Sequence, residues 1–111
     1  MSNYTKIKKY PNYTEYLNDK GKLHRTDGPA VEYNIGDKIW YLNGLRNRTD
    51  GPAVEWSNSH KEWYLNGLSH RTDGPAVEYA NGHKEWYINY KQYSEKSFIK
   101  RVRLVSGKRK I

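Results

Sequence analysis

Apolar and aromatic residues in this chain come in short runs, cut by polar residues before a helical stripe can build. Val31-Glu32-Tyr33 alternates strictly, and after the polar stretch Asn34–Asp37 comes Lys38 and then Ile39-Trp40-Tyr41-Leu42. The same pair of runs returns as Val54-Glu55-Trp56 with Trp63-Tyr64-Leu65, and as Val77-Glu78-Tyr79 with Trp86-Tyr87-Ile88. Short β-branched and aromatic runs between turn residues predict strands, one hairpin per unit. The hexapeptide Arg-Thr-Asp-Gly-Pro-Ala sets the period: it begins at Arg25, Arg48 and Arg71, 23 residues apart. A fixed period in the twenties marks a repeat architecture.

Turn chemistry agrees. Asp27-Gly28-Pro29 supplies a tight corner followed by a proline suited to the start of a strand. Asn43-Gly44 and Asn66-Gly67 predict two-residue hairpins, because both central residues of a type I′ turn take positive φ. Reading Asn34–Asp37, Ser57–His60 and Ala80–His83 as four-residue loops, period-two alternation puts Val31, Tyr33, Trp40 and Leu42 on the packed face. Tyr41, Tyr64 and Tyr87 then form a ladder with the glutamates on the other face.

The ends differ from the body. Thr14–Asn18 echoes a repeat, and the lysines and Pro11 ahead of it suit an exposed sheet edge that refuses further pairing. In the third unit Asn89-Tyr90 replaces Asn-Gly, so the hairpin pattern is expected to stop there. Ser94 then reads as the N-cap of a helix, with Tyr93 and Phe98 as a hydrophobic staple. Phe98, Ile99, Val102 and Val105 fall on one side, and Gly107 is expected to end the helix. The expected organisation is a cap and partial repeat (1–22), three hairpin repeats (23–93) and a basic amphipathic helix with its tail (94–111). The fold class is mainly β: a single-layer, meandering antiparallel sheet of repeated hairpins with a C-terminal capping α-helix.

Composition sharpens this picture. Only 19 of 111 residues are Leu, Ile, Val or Phe, and the net charge is +8. So low an aliphatic share with so much charge ordinarily signals disorder. Regular repeats, 4 Trp and 11 Tyr point instead to a thin sheet with partly wet faces. With no cysteine, disulfides and thiolate metal sites are excluded. Neither a secretory leader nor an apolar run long enough to span a membrane is legible, so a cytoplasmic location is expected. Residues 23–93 are nearly neutral, and the basicity lies at the two ends.

Trp63–Gly67 followed by His70–Ala76 resembles the MORN repeat, in the variant found in short arrays of phage, giant-virus and bacterial proteins. The likeness covers about residues 14–93. It departs from the usual MORN pattern by placing Arg-Thr-Asp-Gly-Pro where Gly-x-Gly follows the turn. The resemblance implies a meandering antiparallel sheet, a virus-encoded origin, a role in protein contacts or scaffolding, and no catalysis.

Candidate chemistry follows from the repeat. Arg25, Arg48 and Arg71 should stand in register about 10 Å apart. Such a ladder could read carboxylates, phosphates or a nucleotide, or it could be consumed by the Asp and Glu that recur with it. His24 and His70 share one repeat position, two units apart, and the turn residues His60 and His83 lie one unit apart. Neither pair can share a metal, so no metal or cofactor is expected. Tyr41, Tyr64 and Tyr87 could form a stacking stripe for a protein or for bases. The exposed cations Lys100, Arg101, Arg103, Lys108, Arg109 and Lys110 could meet an anionic partner. The leading expectation is a non-catalytic module for protein–protein interaction, acting in a host cytoplasm. Second comes a binder of nucleic acid, or of a nucleotide signal sequestered as a viral anti-defence device. Third comes a self-assembling structural component, a homo-oligomer.

Overall fold

A computed structural model describes the backbone of residues 2–109 and the side chains of residues 2–103. Its centre is a nine-stranded antiparallel sheet. In spatial order the strands are β1 (Lys6–Lys9), β2 (Tyr13–Leu17), β3 (Val31–Tyr33), β4 (Lys38–Ile39), β7 (Val54–Glu55), β8 (Lys61–Glu62), β11 (Val77–Glu78), β12 (Lys84–Ile88) and β13 (Lys91–Tyr93). The four strands not in this order form two lateral hairpins: β5 (Tyr41–Leu42) with β6 (Leu45–Arg46), and β9 (Tyr64–Leu65) with β10 (Leu68–Ser69). The thinnest dimension is 18 Å, as a single layer requires. The expected fold class is the observed one.

Each unit holds two hairpins instead of the one expected. Strand pairing is interrupted at Trp40 and Trp63, whose N–H groups donate to the carbonyls of Ala53 and Ala76 in the next unit at 2.7 and 2.8 Å. Beyond each Trp the chain folds back on itself through the Asn-Gly turn. Asn43 and Gly44 have φ of 50° and 82°, as a type I′ turn needs.

The face assignment is corrected. Val31 pairs with Ile39 and Glu32 with Lys38, and the Tyr33 N–H donates to the Asp37 carbonyl at 2.9 Å, so the loop has three residues, 34–36, and not four. Gly36, at φ +105°, is the left-handed residue that closes such a loop. A one-residue change of register moves every side chain to the other face. Tyr41 and Tyr64 therefore pack with Tyr33 and Trp56 against the buried cluster Val31, Ile39 and Val54. Trp40 and Trp63 take the opposite face, which also carries Glu32, Lys38, Glu55, Lys61, Glu78 and Lys84, paired across neighbouring strands in alternating sign.

The third unit does not stop at Asn89. Asn89 and Tyr90 take φ of 49° and 73°, and β12 pairs with β13 through the same two-residue turn. Register and packing hold a tyrosine in a conformation that glycine takes freely. The helix α1 (Glu95–Arg109) follows, with the Ser97 N–H donating to Ser94 Oγ at 3.1 Å. It packs on β12 and β13 through Phe98, which is buried, while Ile99 is exposed and leaves the expected stripe. Gly107 does not end the helix. One glycine costs a helix about 1 kcal/mol but does not forbid it. Val105, Lys108, Arg109 and Lys110 lie outside the residues whose side chains are described.

Ser59 occupies the loop position of Gly36 and Gly82 with φ of +79°. Ser59→Gly is expected to raise stability by about 0.5–1 kcal/mol, read as a higher urea midpoint at unchanged slope.

Candidate functional site

The three hexapeptides form one clip, built three times. Corner formation by Asp-Gly-Pro turns the arginine side chain back across its own loop. Arg25, Arg48 and Arg71 donate from Nε to Asp27, Asp50 and Asp73 at 2.8, 2.9 and 2.8 Å. From Nη1 each donates to the carbonyl of its own proline, at 3.2, 3.0 and 3.1 Å. The same nitrogen reaches Glu32, Glu55 and Glu78, seven residues on, at 3.1, 2.8 and 3.0 Å.

Both faces of each guanidinium are covered. Arg48 and Arg71 lie 3.8 Å over the rings of Trp40 and Trp63, and Arg25 lies 4.0 Å over Tyr16, which takes the tryptophan's place in the partial repeat. On the other side stands the glycine of the loop, where an added Cβ would come within 2.8–2.9 Å of Cζ. That is why the corner needs glycine although Gly28, Gly51 and Gly74 have no positive φ. Backbone N–H groups of Arg25, Arg48 and Arg71 donate to the carbonyls of Tyr41, Tyr64 and Tyr87 at 3.1–3.2 Å, joining each clip to the following lateral turn. The arginines are thus held in ion pairs, not presented as a free ladder.

His24 and His70 also serve the scaffold. Their Nδ1 atoms accept from the N–H of Asn43 and Asn89 at 2.9 and 3.0 Å, as Asn47 Oδ1 accepts from Asn66 at 2.9 Å. One polar acceptor per unit thereby holds the next hairpin turn. His24 is buried and bonds through Nε2 to the Ser2 carbonyl at 2.7 Å. Among the described residues no three His, Asp or Glu side chains converge as metal ligands.

Between successive clips lie two equivalent grooves. One, of about 510 Å³, runs between Arg25-Thr26-Asp27 and Arg48-Thr49-Asp50 over Trp40 and Leu42. Its copy, of about 490 Å³, runs between Arg48-Thr49-Asp50 and Arg71-Thr72-Asp73 over Trp63 and Leu65. The opposite face carries Tyr64 and Tyr87, each beside a carboxylate that sequence reasoning passed over, Glu62 and Glu85. Burial, then the neighbouring carboxylate, pushes both phenols above their usual value. The signal was available: Glu62 and Glu85 stand where the first unit has Ile39.

On α1, Lys100, Arg101 and Arg103 are exposed, and no ion pair among the described residues involves them. No helix among the described residues is long and apolar enough to cross a membrane. No family model, curated protein or solved structure matches this chain. The likeness to MORN-type repeats rests on the motif residues alone.

Two expectations follow from the clip. Arg48→Lys keeps the charge but loses the planar fork, and should destabilise the fold by about 1–3 kcal/mol in chemical denaturation. Asp27 and Asp50 are held below the usual carboxylate value, first by the hydrogen bonds from Arg25 and Arg48 and, for Asp27, then by one from Asn3. A carboxylate whose pKa is depressed on folding stabilises the fold above its unfolded value and loses that contribution as pH falls through its folded value. Unfolding free energy should therefore drop as pH is lowered below about 4, and Asp50→Asn should flatten that acid limb.

Proposed function

We propose that this chain is a non-catalytic protein-interaction module that recognises a polypeptide along the grooves between its clips. The observation that carries this reading is the saturation of the three arginines. Each groove is lined by two guanidinium groups and two aspartates, Asp27 and Asp50 in the first and Asp50 and Asp73 in the second, and every guanidinium is also paired with a glutamate seven residues on. Such a surface offers a phosphate or nucleotide no uncommitted guanidinium and no excess of positive charge. Apolar floors with exposed threonines and aspartates at the rim offer an extended chain both burial and hydrogen bonds. Two copies in register suit a ligand that runs along the array.

The second reading, an anionic partner, draws on the exposed cations of α1. Its chemistry is salt-dependent contact with nucleic acid through Lys100, Arg101 and Arg103. The self-assembly reading has less support, because β1 ends the sheet with Lys6, Lys8 and Lys9, which oppose edge-to-edge pairing.

Recovery of a protein partner from host lysate, compared across two variants, separates the readings. Thr49→Arg with Thr72→Arg fills both grooves and should reduce recovery at least tenfold. Replacing Lys100, Arg101 and Arg103 by Gln should leave recovery unchanged, including after nuclease treatment. The reverse pattern, with recovery lost in the helix variant and on nuclease treatment, would favour nucleic acid and remove the groove from consideration.

A further inference from the structure

Two repeat positions change character along the array. Ile39 gives way to Glu62 and Glu85, and Arg46 gives way to Ser69 and Gln92. The two glutamates flank Val77 on one face of the sheet, each directly opposite it on a neighbouring strand. Around Glu62 the chain satisfies the carboxylate from within. Tyr64 donates its hydroxyl at 2.8 Å, His60 Nε2 lies at 2.7 Å and Arg46 Nη1 at 3.7 Å. The Arg46 guanidinium also lies 5.4 Å over the Tyr64 ring.

One unit on, Glu85 and Tyr87 repeat Glu62 and Tyr64, but Ser69 stands where Arg46 stood. Contacts to Glu85 are correspondingly longer: Tyr79 and Tyr87 hydroxyls at 3.3 and 3.4 Å, and His83 Nε2 at 3.5 Å. Glu85, Tyr79 and Tyr87 line a cleft of about 420 Å³, shared with Glu62, Tyr64 and Tyr90, and no Lys or Arg among the described residues lines it. Tyr90, 71 % exposed, forms one wall in the left-handed backbone position that Gly44 and Gly67 hold in the other units. The substitution that strains this turn also adds an aromatic wall to the cleft.

We infer that this cleft receives an arginine side chain of a protein partner, seated on Glu85 and the tyrosine rings as Arg46 is seated on Glu62 and Tyr64. A planar guanidinium stacks on aromatic faces and pairs with a carboxylate in one pose, which an ammonium does less well. The assignment rests on the protein-interaction reading and names one residue of that partner.

The test is an NMR titration with Nα-acetyl-arginine N-methylamide, using the neutral citrulline analogue as control. Saturable shifts at Val77, Tyr87 and Tyr90 are expected with the arginine probe alone. Glu85→Gln should weaken them about threefold to thirtyfold. Ser69→Arg should supply the guanidinium from within, abolishing the shifts and raising the melting temperature. Tyr90→Gly, which restores the residue of the other units, should melt higher and bind more weakly. Equal binding of citrulline, or undiminished binding by Ser69→Arg, overturns the assignment. Concentration-dependent shifts without probe that vanish in Arg101→Gln/Arg103→Gln would assign the cleft to a second copy, and overturn a foreign partner. Groove-dependent capture of a partner is read separately, so failure here with capture intact removes only the cleft.

Discussion

The structure depends on the stacking of an arginine between an aromatic ring and a glycine. A thin sheet with few aliphatic residues cannot be held by a thick core, and here the aliphatic cluster reaches only from Val31 to Val54. What repeats through all three units is the clip. Its guanidinium is closed above by an aromatic ring, below by a glycine without a Cβ, and at the edge by two carboxylates and a carbonyl. Charge-assisted hydrogen bonds in a partly desolvated setting are worth about twice a neutral one. Because Arg48 and Arg71 stack on Trp40 and Trp63 of the preceding unit, the clip couples neighbouring units. That coupling is the nearest-neighbour interaction by which repeat arrays gain stability.

Much of this was legible in the sequence. The period gave the number of units, Asn-Gly gave the lateral turns, and the co-occurrence of Arg, Asp and Glu allowed for ion pairing. The faces were misread for a physical reason. A four-residue loop was assumed where Gly36, Ser59 and Gly82 close a three-residue one, and a strand's side chains flip with each residue of register. The cue was glycine at the third loop position in two of the three copies. Tyr90 misled differently: its side chain argues against a type I′ turn, and only pairing of the flanking strands forces it.

Candidate sites were less legible than the fold, because repetition hides function. Residues that occur in every unit, such as Arg25, Arg48 and Arg71, proved to build the scaffold. Residues that break the repeat, such as Glu62, Glu85, Ser69 and Tyr90, gather at one cleft on the tyrosine face. Departures from the period thus line the cleft proposed to receive an arginine.

In the free protein the three repeat arginines are locked, and arginine side-chain ¹⁵N NMR tests this directly. Three separate, slowly exchanging Nε–Hε signals are expected for Arg25, Arg48 and Arg71, with Arg48 and Arg71 shifted by the ring currents of Trp40 and Trp63. Three overlapped signals in rapid exchange with water would show free guanidinium groups and contradict it.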